Sequence, residues 1–153
     1  SGHGITVLYE FDKKRIDHAL NYAKKNSKSQ KYLIEEFVKG QLFSHSAFIV
    51  NGEILIDFIV EEHCIVNPYV VDTSRVIFNF TDNVLNDIRK EITLFAKKLK
   101  LCDGLIHTQF IYNGNKFWFI ESNRRCPGDL YSKLIEYSTG FPYAEFYSNH
   151  LSI

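Results

Sequence analysis

The stretch GLIHTQFIYNGNKFWFIESNRR, residues 104–125, decides the fold. Two runs rich in β-branched and aromatic residues, 104–112 and 117–123, flank the polar turn Asn113-Gly114-Asn115-Lys116, which is the pattern of a β-hairpin. Alternate side chains of a strand share one face, so Glu121, Asn123 and Arg125 are expected to point the same way, each about 6 to 7 Å from the next. A carboxylate, an amide carbonyl and a guanidinium in that order suit a magnesium-bound triphosphate, with the oxygens on the hard cation and the arginine fork on phosphate. The plainer reading is an amphipathic strand with a solvated polar face. Gln109 precedes Glu121 by twelve positions. A three-residue loop, 114–116, would set the two directly opposite each other, whereas a two-residue Asn113-Gly114 turn would send Gln109 to the other face.

Working outward, Asn51-Gly52 predicts a second hairpin between strands at 45–50 and 53–60. Val84, Leu85, Ile88, Ile92, Phe95, Ala96 and Leu99 form an apolar stripe that predicts an amphipathic helix over 82–100. A further helix is expected over 129–138, closed by Gly140. Nearer the start, residues 5–9 read as a strand, and Asp12 as the N-cap of a helix carrying Ile16, Leu20 and Ala23 and ending near Asn26. Residues 32–38 form an apolar, strand-like run containing Glu35 and Glu36, with Gly40 as a turn. The class is α+β, dominated by antiparallel hairpins.

With 153 residues, 45% of them hydrophobic, the chain can bury the core of one domain, with room for two lobes. Eighteen Lys plus Arg balance eighteen Asp plus Glu, so no basic field favours nucleic acid or an anionic membrane. No apolar run reaches the roughly 20 residues of a spanning helix. Cys64, Cys102 and Cys126 lack zinc or disulfide spacing, which fits a reducing cytoplasm. The chain starts at Ser1 and has no methionine, so it is expected to be a piece of a longer protein. His45, His63 and His107 lack ligand spacing and are read as packing or surface residues. Glu61-Glu62-His63 and Arg75 are read as a solvated loop, with contact to an acceptor substrate as the alternative. The Lys-rich stretches at 24–31 and 97–100 sit at helix ends, where positive charge offsets the dipole.

Gln109 followed by Glu121-Ser122-Asn123-Arg124-Arg125 resembles the metal-binding hairpin of ATP-grasp enzymes, whose pattern ends in Glu-x-Asn-x-Arg. Most members carry Glu at the first position, and carbamoyl phosphate synthetases carry Gln. The resemblance implies that Glu121 bridges two Mg²⁺ (or Mn²⁺) ions, that Gln109 and Asn123 bind one each, and that Arg125 is the catalytic arginine facing phosphate or the acyl intermediate. Cys126-Pro127-Gly128-Asp129 resembles the loop that follows. Residues 33–40 resemble the family's interlobe connection, so Glu35, Glu36, Phe37 and Val38 are the expected adenine contacts, Glu35 and the backbone of Glu36 at the amino group and Val38 N–H at a ring nitrogen. Ser1-Gly2-His3-Gly4-Ile5 resembles the mobile glycine-rich loop, which places Gly2, His3 and Gly4 over the β- and γ-phosphates of ATP. Leu42 stands where the family commonly has a ribose-binding Glu, and Ser44 fits a serine often found two residues further on.

The implied fold is an ATP-grasp fragment, antiparallel sheets with packed helices in two lobes: residues 1–40 in the small lobe and 41–153 in the large one. The implied activity is an ATP- and magnesium-dependent ligase that activates a carboxylate as an acyl phosphate for attack by an amine. A non-catalytic nucleotide-binding regulatory module is the alternative, and a small α+β interaction domain with an incidental polar strand is a further one. The expected partners are ATP, a small carboxylate and amine pair, and an N-terminal domain of the same protein carrying a strand with a nucleotide-binding lysine. Oligomerisation is left open.

Overall fold

The computed structural model describes residues 3–149, so Gly2 of the expected glycine-rich loop lies outside the described residues. Nine elements follow in order: α1 (Lys13–Asn26), β1 (Gln41–Val50), β2 (Glu53–His63), β3 (Thr73–Ile77), α2 (Asp82–Lys98), β4 (Gly104–Tyr112), β5 (Phe117–Asn123), α3 (Tyr131–Thr139) and α4 (Tyr143–Asn149). The strands form one antiparallel sheet in the order β3-β2-β1-β4-β5. Asn51 and Gly52 both take positive φ, 53° and 77°, as the tight turn between β1 and β2 requires. The α+β, antiparallel fold class expected from the sequence is the observed one.

Both faces of the sheet are covered, which is why residues 43–49 of the central strand β1 are buried without interruption. On one face Phe43, Ala47, Ile49, Ile59, Ile106 and Phe110 pack against Ile88, Ile92 and Ala96 of α2. On the other, Phe48, Phe58, Val60 and Leu105 pack against Tyr131 and Ile135 of α3 and Tyr143 of α4. The polar residues of β1 are buried with partners. His45 Nε2 lies 2.8 Å from Asp57 Oδ2, and Arg89 of α2 closes on the same carboxylate at 2.6 and 2.8 Å. Burial pushes the Asp57 carboxyl up, but the hydrogen bonds and positive charge of Arg89 and His45 outweigh it and hold the group well below the usual range.

α1 begins as expected, with Asp12 Oδ1 accepting Arg15 N–H at 2.9 Å. Gly140, at φ 75°, closes α3 in the left-handed conformation. Four expectations need correction. Residues 5–9 and 32–38 are extended or bent without joining a sheet, because no neighbouring strand among the described residues takes up their backbone groups. β1 starts four residues earlier than predicted and β2 runs three residues further, since the polar residues at those ends pair across the sheet instead of turning away. α2 stops at Lys98, where Lys100 turns to φ 53°. β3 and α4 were not foreseen: the first is a five-residue edge strand and the second a seven-residue helix, too short for a periodic signal. No helix among the described residues is long and apolar enough to cross a membrane.

Candidate functional site

The hairpin of β4 and β5 positions the site. Its turn is held by Asn113, whose Oδ1 accepts N–H from Asn115 at 3.0 Å and Lys116 at 2.9 Å. From there Tyr112 pairs with Phe117, Ile111 with Trp118 and Phe110 with Phe119, after which the register shifts and Gln109 pairs with Glu121. Ile120 is the extra residue of a β-bulge. Gln109 is thus opposite Glu121, as one of the two sequence readings required, but a bulge achieves it and not a three-residue loop. His107 then pairs with Asn123, so Gln109, Glu121 and Asn123 share the sheet face that carries α3 and α4.

Two hydrogen bonds orient the amides. Gln109 Nε2 donates to Glu62 Oε2 at 2.6 Å, and Asn123 Nδ2 donates to Glu121 Oε1 at 3.1 Å. Each amide N–H₂ is engaged by a carboxylate, which leaves the carbonyl oxygens as the remaining acceptors. Glu62 is only 4% exposed. Burial raises its pKa, the hydrogen bonds from Ser44 and Gln109 act the other way, and the carboxylates of Asp129 and Glu121 raise it further. Beneath this row, Ser46 Oγ lies 2.8 Å from His107 Nδ1 and receives the Tyr143 hydroxyl at 3.2 Å, while Ser44 Oγ donates to the Tyr131 hydroxyl at 3.3 Å. Burial first, then the positive charges of His45 and Arg125, push His107 down to about 4. His107 is therefore a neutral packing group at neutral pH.

The donor chemistry suits a hard cation that brings further oxygen ligands of its own. Among the described residues no three His, Cys, Asp or Glu side chains gather as a metal cage. What gathers instead is one exposed carboxylate and two amide oxygens, all hard donors, and such a set leaves coordination positions for phosphate oxygens and water.

The two arginines after β5 divide their tasks. Arg124 donates to three backbone carbonyls at the entry to β4: Cys102 at 2.7 Å, Asp103 at 2.9 Å and Gly104 at 3.3 Å. Arg125 is exposed and bonds only the carbonyl of Cys126, at 3.2 Å, among its hydrogen bonds to described residues. The strand ends at Asn123, so strand alternation alone does not set the direction of Arg125; its charge acts on His107, which lies on the Glu121 face.

Of the expected adenine contacts, Glu35, Glu36 and Phe37 are exposed and Val38 is half-buried. They enter the sheet through Gly40, whose α-carbon lies against Ile111 and Tyr112 of β4. Leu42, two residues on, pairs with Glu62, so this connection reaches β1 at the same end as the Gln109–Glu121 pair. His3 and Gly4 form a turn in which Gly4 faces Ala23 and Asn26 of α1. Glu62 is the residue that sequence reasoning missed. A solvated loop was expected at 61–63, but β2 continues through it: Glu61 lies on the α2 face, where it pairs with Arg75, and Glu62 is buried on the opposite face. The signal was present, because extending the alternation of Phe58 and Val60 by one step places Glu62 on their face.

Comparison with known proteins gives the same answer at the level of family. The carbamoyl phosphate synthase large chain of Clostridium botulinum (strain Loch Maree / Type A3) is 28% identical over 128 residues, which is 82% of this chain and 12% of that protein. The chain therefore spans about an eighth of this curated relative. Among solved structures, D-alanyl-alanine synthetase A from Vibrio cholerae O1 biovar eltor str. N16961 superposes with a TM-score of 0.69 at 22% identity, over 99% of this chain and 48% of that one. A biotin carboxylase beta-gamma-ATP complex from Campylobacter jejuni gives 0.65 at 16% identity, over 94% and 33%. These likenesses show a shared fold. Residues 6–133 match the ATP-grasp domain, and the chain belongs to that family.

Proposed function

We propose that the chain is the nucleotide- and metal-binding part of an ATP-dependent ligase that activates a carboxylate as an acyl phosphate for attack by an amine or similar nucleophile. The observation that carries this reading is the hairpin face on which Gln109, Glu121 and Asn123 meet with both amide N–H₂ groups occupied. Those three residues would hold Mg²⁺ or Mn²⁺, which when bound neutralises charge on the nucleotide phosphates. Arg125, unburdened by structural hydrogen bonds of the kind that hold Arg124, is assigned to the transferring phosphoryl group. Residues 35–38 are assigned to adenine, Gly2, His3 and Gly4 to the phosphates, and the division at residue 40 to the boundary between a small and a large lobe. A carboxylate oxygen attacks the γ-phosphorus and ADP leaves; the amine then attacks the acyl carbon and inorganic phosphate leaves. No protein side chain serves as nucleophile. The cytoplasm is the assigned compartment, where the free thiols of Cys64, Cys102 and Cys126 stay reduced.

Titration with ATP in the presence and absence of Mg²⁺, alongside carboxylate-dependent phosphate release by the longer protein to which the family relationship points, tests the proposal. Magnesium-dependent binding lost in Glu121→Ala is the expected result, and binding indifferent to both magnesium and Glu121 would reject it. Leu42, at the position where the family commonly carries a ribose-binding Glu, favours a second reading as a non-catalytic nucleotide-binding module. That reading predicts the same binding without carboxylate-dependent phosphate release.

A further inference from the structure

A glutamate at the position of Gln109 would present an oxygen whichever way its carboxyl turned. A glutamine presents oxygen in one orientation and N–H₂ in the other, and an N–H₂ group aimed at a cation repels it. A chain with Gln at this position therefore needs something to fix the amide. The only carboxylate hydrogen-bonded to Gln109 among the described residues is Glu62, on β2, 47 residues away in sequence and separated from β4 by β1. Its Oε2 accepts Gln109 Nε2 at 2.6 Å, short enough for a charge-assisted bond. Glu62 is itself held: its backbone carbonyl accepts Gln41 Nε2 at 2.7 Å, and its carboxyl sits beside Ser44, whose Oγ donates to Tyr131 on α3. At 4% exposure it is too enclosed to meet a phosphate-borne cation, whereas Glu121 is exposed.

We propose that Glu62 is a positioning residue of the metal site: by accepting the Gln109 N–H₂ it turns Gln109 Oε1 toward the cation. This rests on the functional reading above and adds to it a residue on a different strand. The polarity of the contact matters more than its presence. Exchanging the two residues, Glu62→Gln with Gln109→Glu, reverses which strand supplies the N–H₂ and still leaves an oxygen facing the cation.

The experiment measures Mn²⁺ affinity by electron paramagnetic resonance, in the full chain with a non-hydrolysable ATP analogue, for the parent, both single variants, the exchange variant and Glu121→Ala. Glu62→Gln should weaken Mn²⁺ about tenfold, in the range usual for residues that orient metal ligands. Gln109→Glu alone sets two carboxylates against each other and should also weaken it, while the exchange variant should return to within about threefold of the parent. A merely structural role for Glu62 predicts no such rescue. Parent-like affinity in Glu62→Gln, or an exchange variant no better than the weaker single one, would overturn the proposal while Glu121→Ala still supports the metal site. If the parent binds no Mn²⁺ with nucleotide, the functional reading falls and this inference with it. Side-chain amide exchange by NMR gives a reading that needs no variant. The Gln109 N–H₂ should exchange more slowly than that of the exposed Gln30, and equal rates would count against the proposal.

Discussion

Gln109 stands directly opposite Glu121 because β5 carries one residue, Ile120, that β4 does not match. In the register set by the turn, Gln109 would face Ile120 and Glu121 would fall opposite Thr108, on the face occupied by α2. The bulge re-aims the second half of β5, a use of irregularity common beside functional sites. Ser122, between the two ligand candidates, points the other way and bonds Thr108 Oγ1 at 2.9 Å. Glu121→Ala is therefore expected to weaken magnesium-dependent ATP binding at least about tenfold, while Ser122→Ala leaves it unchanged. Calorimetric titration of both variants checks this, and equal losses in the two would contradict the face assignment.

Arg124 and Arg125 should separate stability from binding. Arg124 ties the end of β5 to three carbonyls at the start of β4, so Arg124→Ala should cost about 1–3 kcal/mol as those acceptors lose their donor. Arg125→Ala should leave the unfolding midpoint within a degree or so. It should lower affinity for ATP more than for ADP if the guanidinium meets the γ-phosphate. Thermal unfolding and paired nucleotide titrations distinguish the two. An Arg125 variant that unfolds early and discriminates nucleotides as the parent does would reverse the assignment.

The hairpins were legible because their evidence is local. Asn51-Gly52 and the 113–116 turn announce themselves, and the bounds of β4 and β5 follow from where the apolar runs stop. The candidate ligands lay on those same strands and could be named with them. What was not legible depends on partners. Residues 5–9 have strand composition but no strand beside them among the described residues, whereas Thr73–Ile77, too short for a periodic signal, has a neighbour in β2. Glu62 was hidden for the same reason. Its burial follows from β3 extending the sheet beside it and from Gln109 two strands away, and neither relation is written in the residues near position 62.

The His45–Asp57–Arg89 group should give stability a defined acid dependence. Asp57 is nearly buried beneath α2, and Arg89 and His45 hold its folded pKa well below the ordinary carboxylate value. The sign follows from linkage: the contribution is fully present above the unfolded value and is lost as pH falls below it toward the folded one. Asp57→Asn removes the charged acceptor of buried His45 and of half-exposed Arg89, and should cost about 1–3 kcal/mol near neutral pH. The gap between parent and variant should narrow as pH drops from about 5 to about 3. Unfolding midpoints of both proteins across that range provide the measurement, and a gap that widens with acid would show that the carboxylate is not stabilised by these two groups.

Gly40 marks where the proposed connection between lobes meets the sheet, and its requirement for glycine is one of space. Its φ is not in the left-handed region, but a Cβ there would lie 2.6 Å from Ile111 Cγ2, 2.7 Å from the Tyr112 carbonyl oxygen and 2.9 Å from the Tyr112 carbonyl carbon. Two of these neighbours are backbone atoms of β4, fixed by pairing with Gln41 at the start of β1 and Phe117 at the start of β5, so they cannot step aside as a side chain would. Gly40→Ala should therefore push β1 and β4 apart at the end that carries Leu42, Glu62 and Gln109, at a cost of about 1–3 kcal/mol. Gly128 provides the control, since a Cβ there meets nothing within 4 Å and its φ is also outside the left-handed region. Urea unfolding of Gly40→Ala, Gly128→Ala and the parent should show a lowered midpoint in the first alone. Because the strain falls at the ligand end of the sheet, the same variant should also weaken magnesium-dependent nucleotide binding under conditions where it remains folded. A Gly40→Ala protein as stable as the parent would mean that the approach of residue 40 to Tyr112 is looser than described.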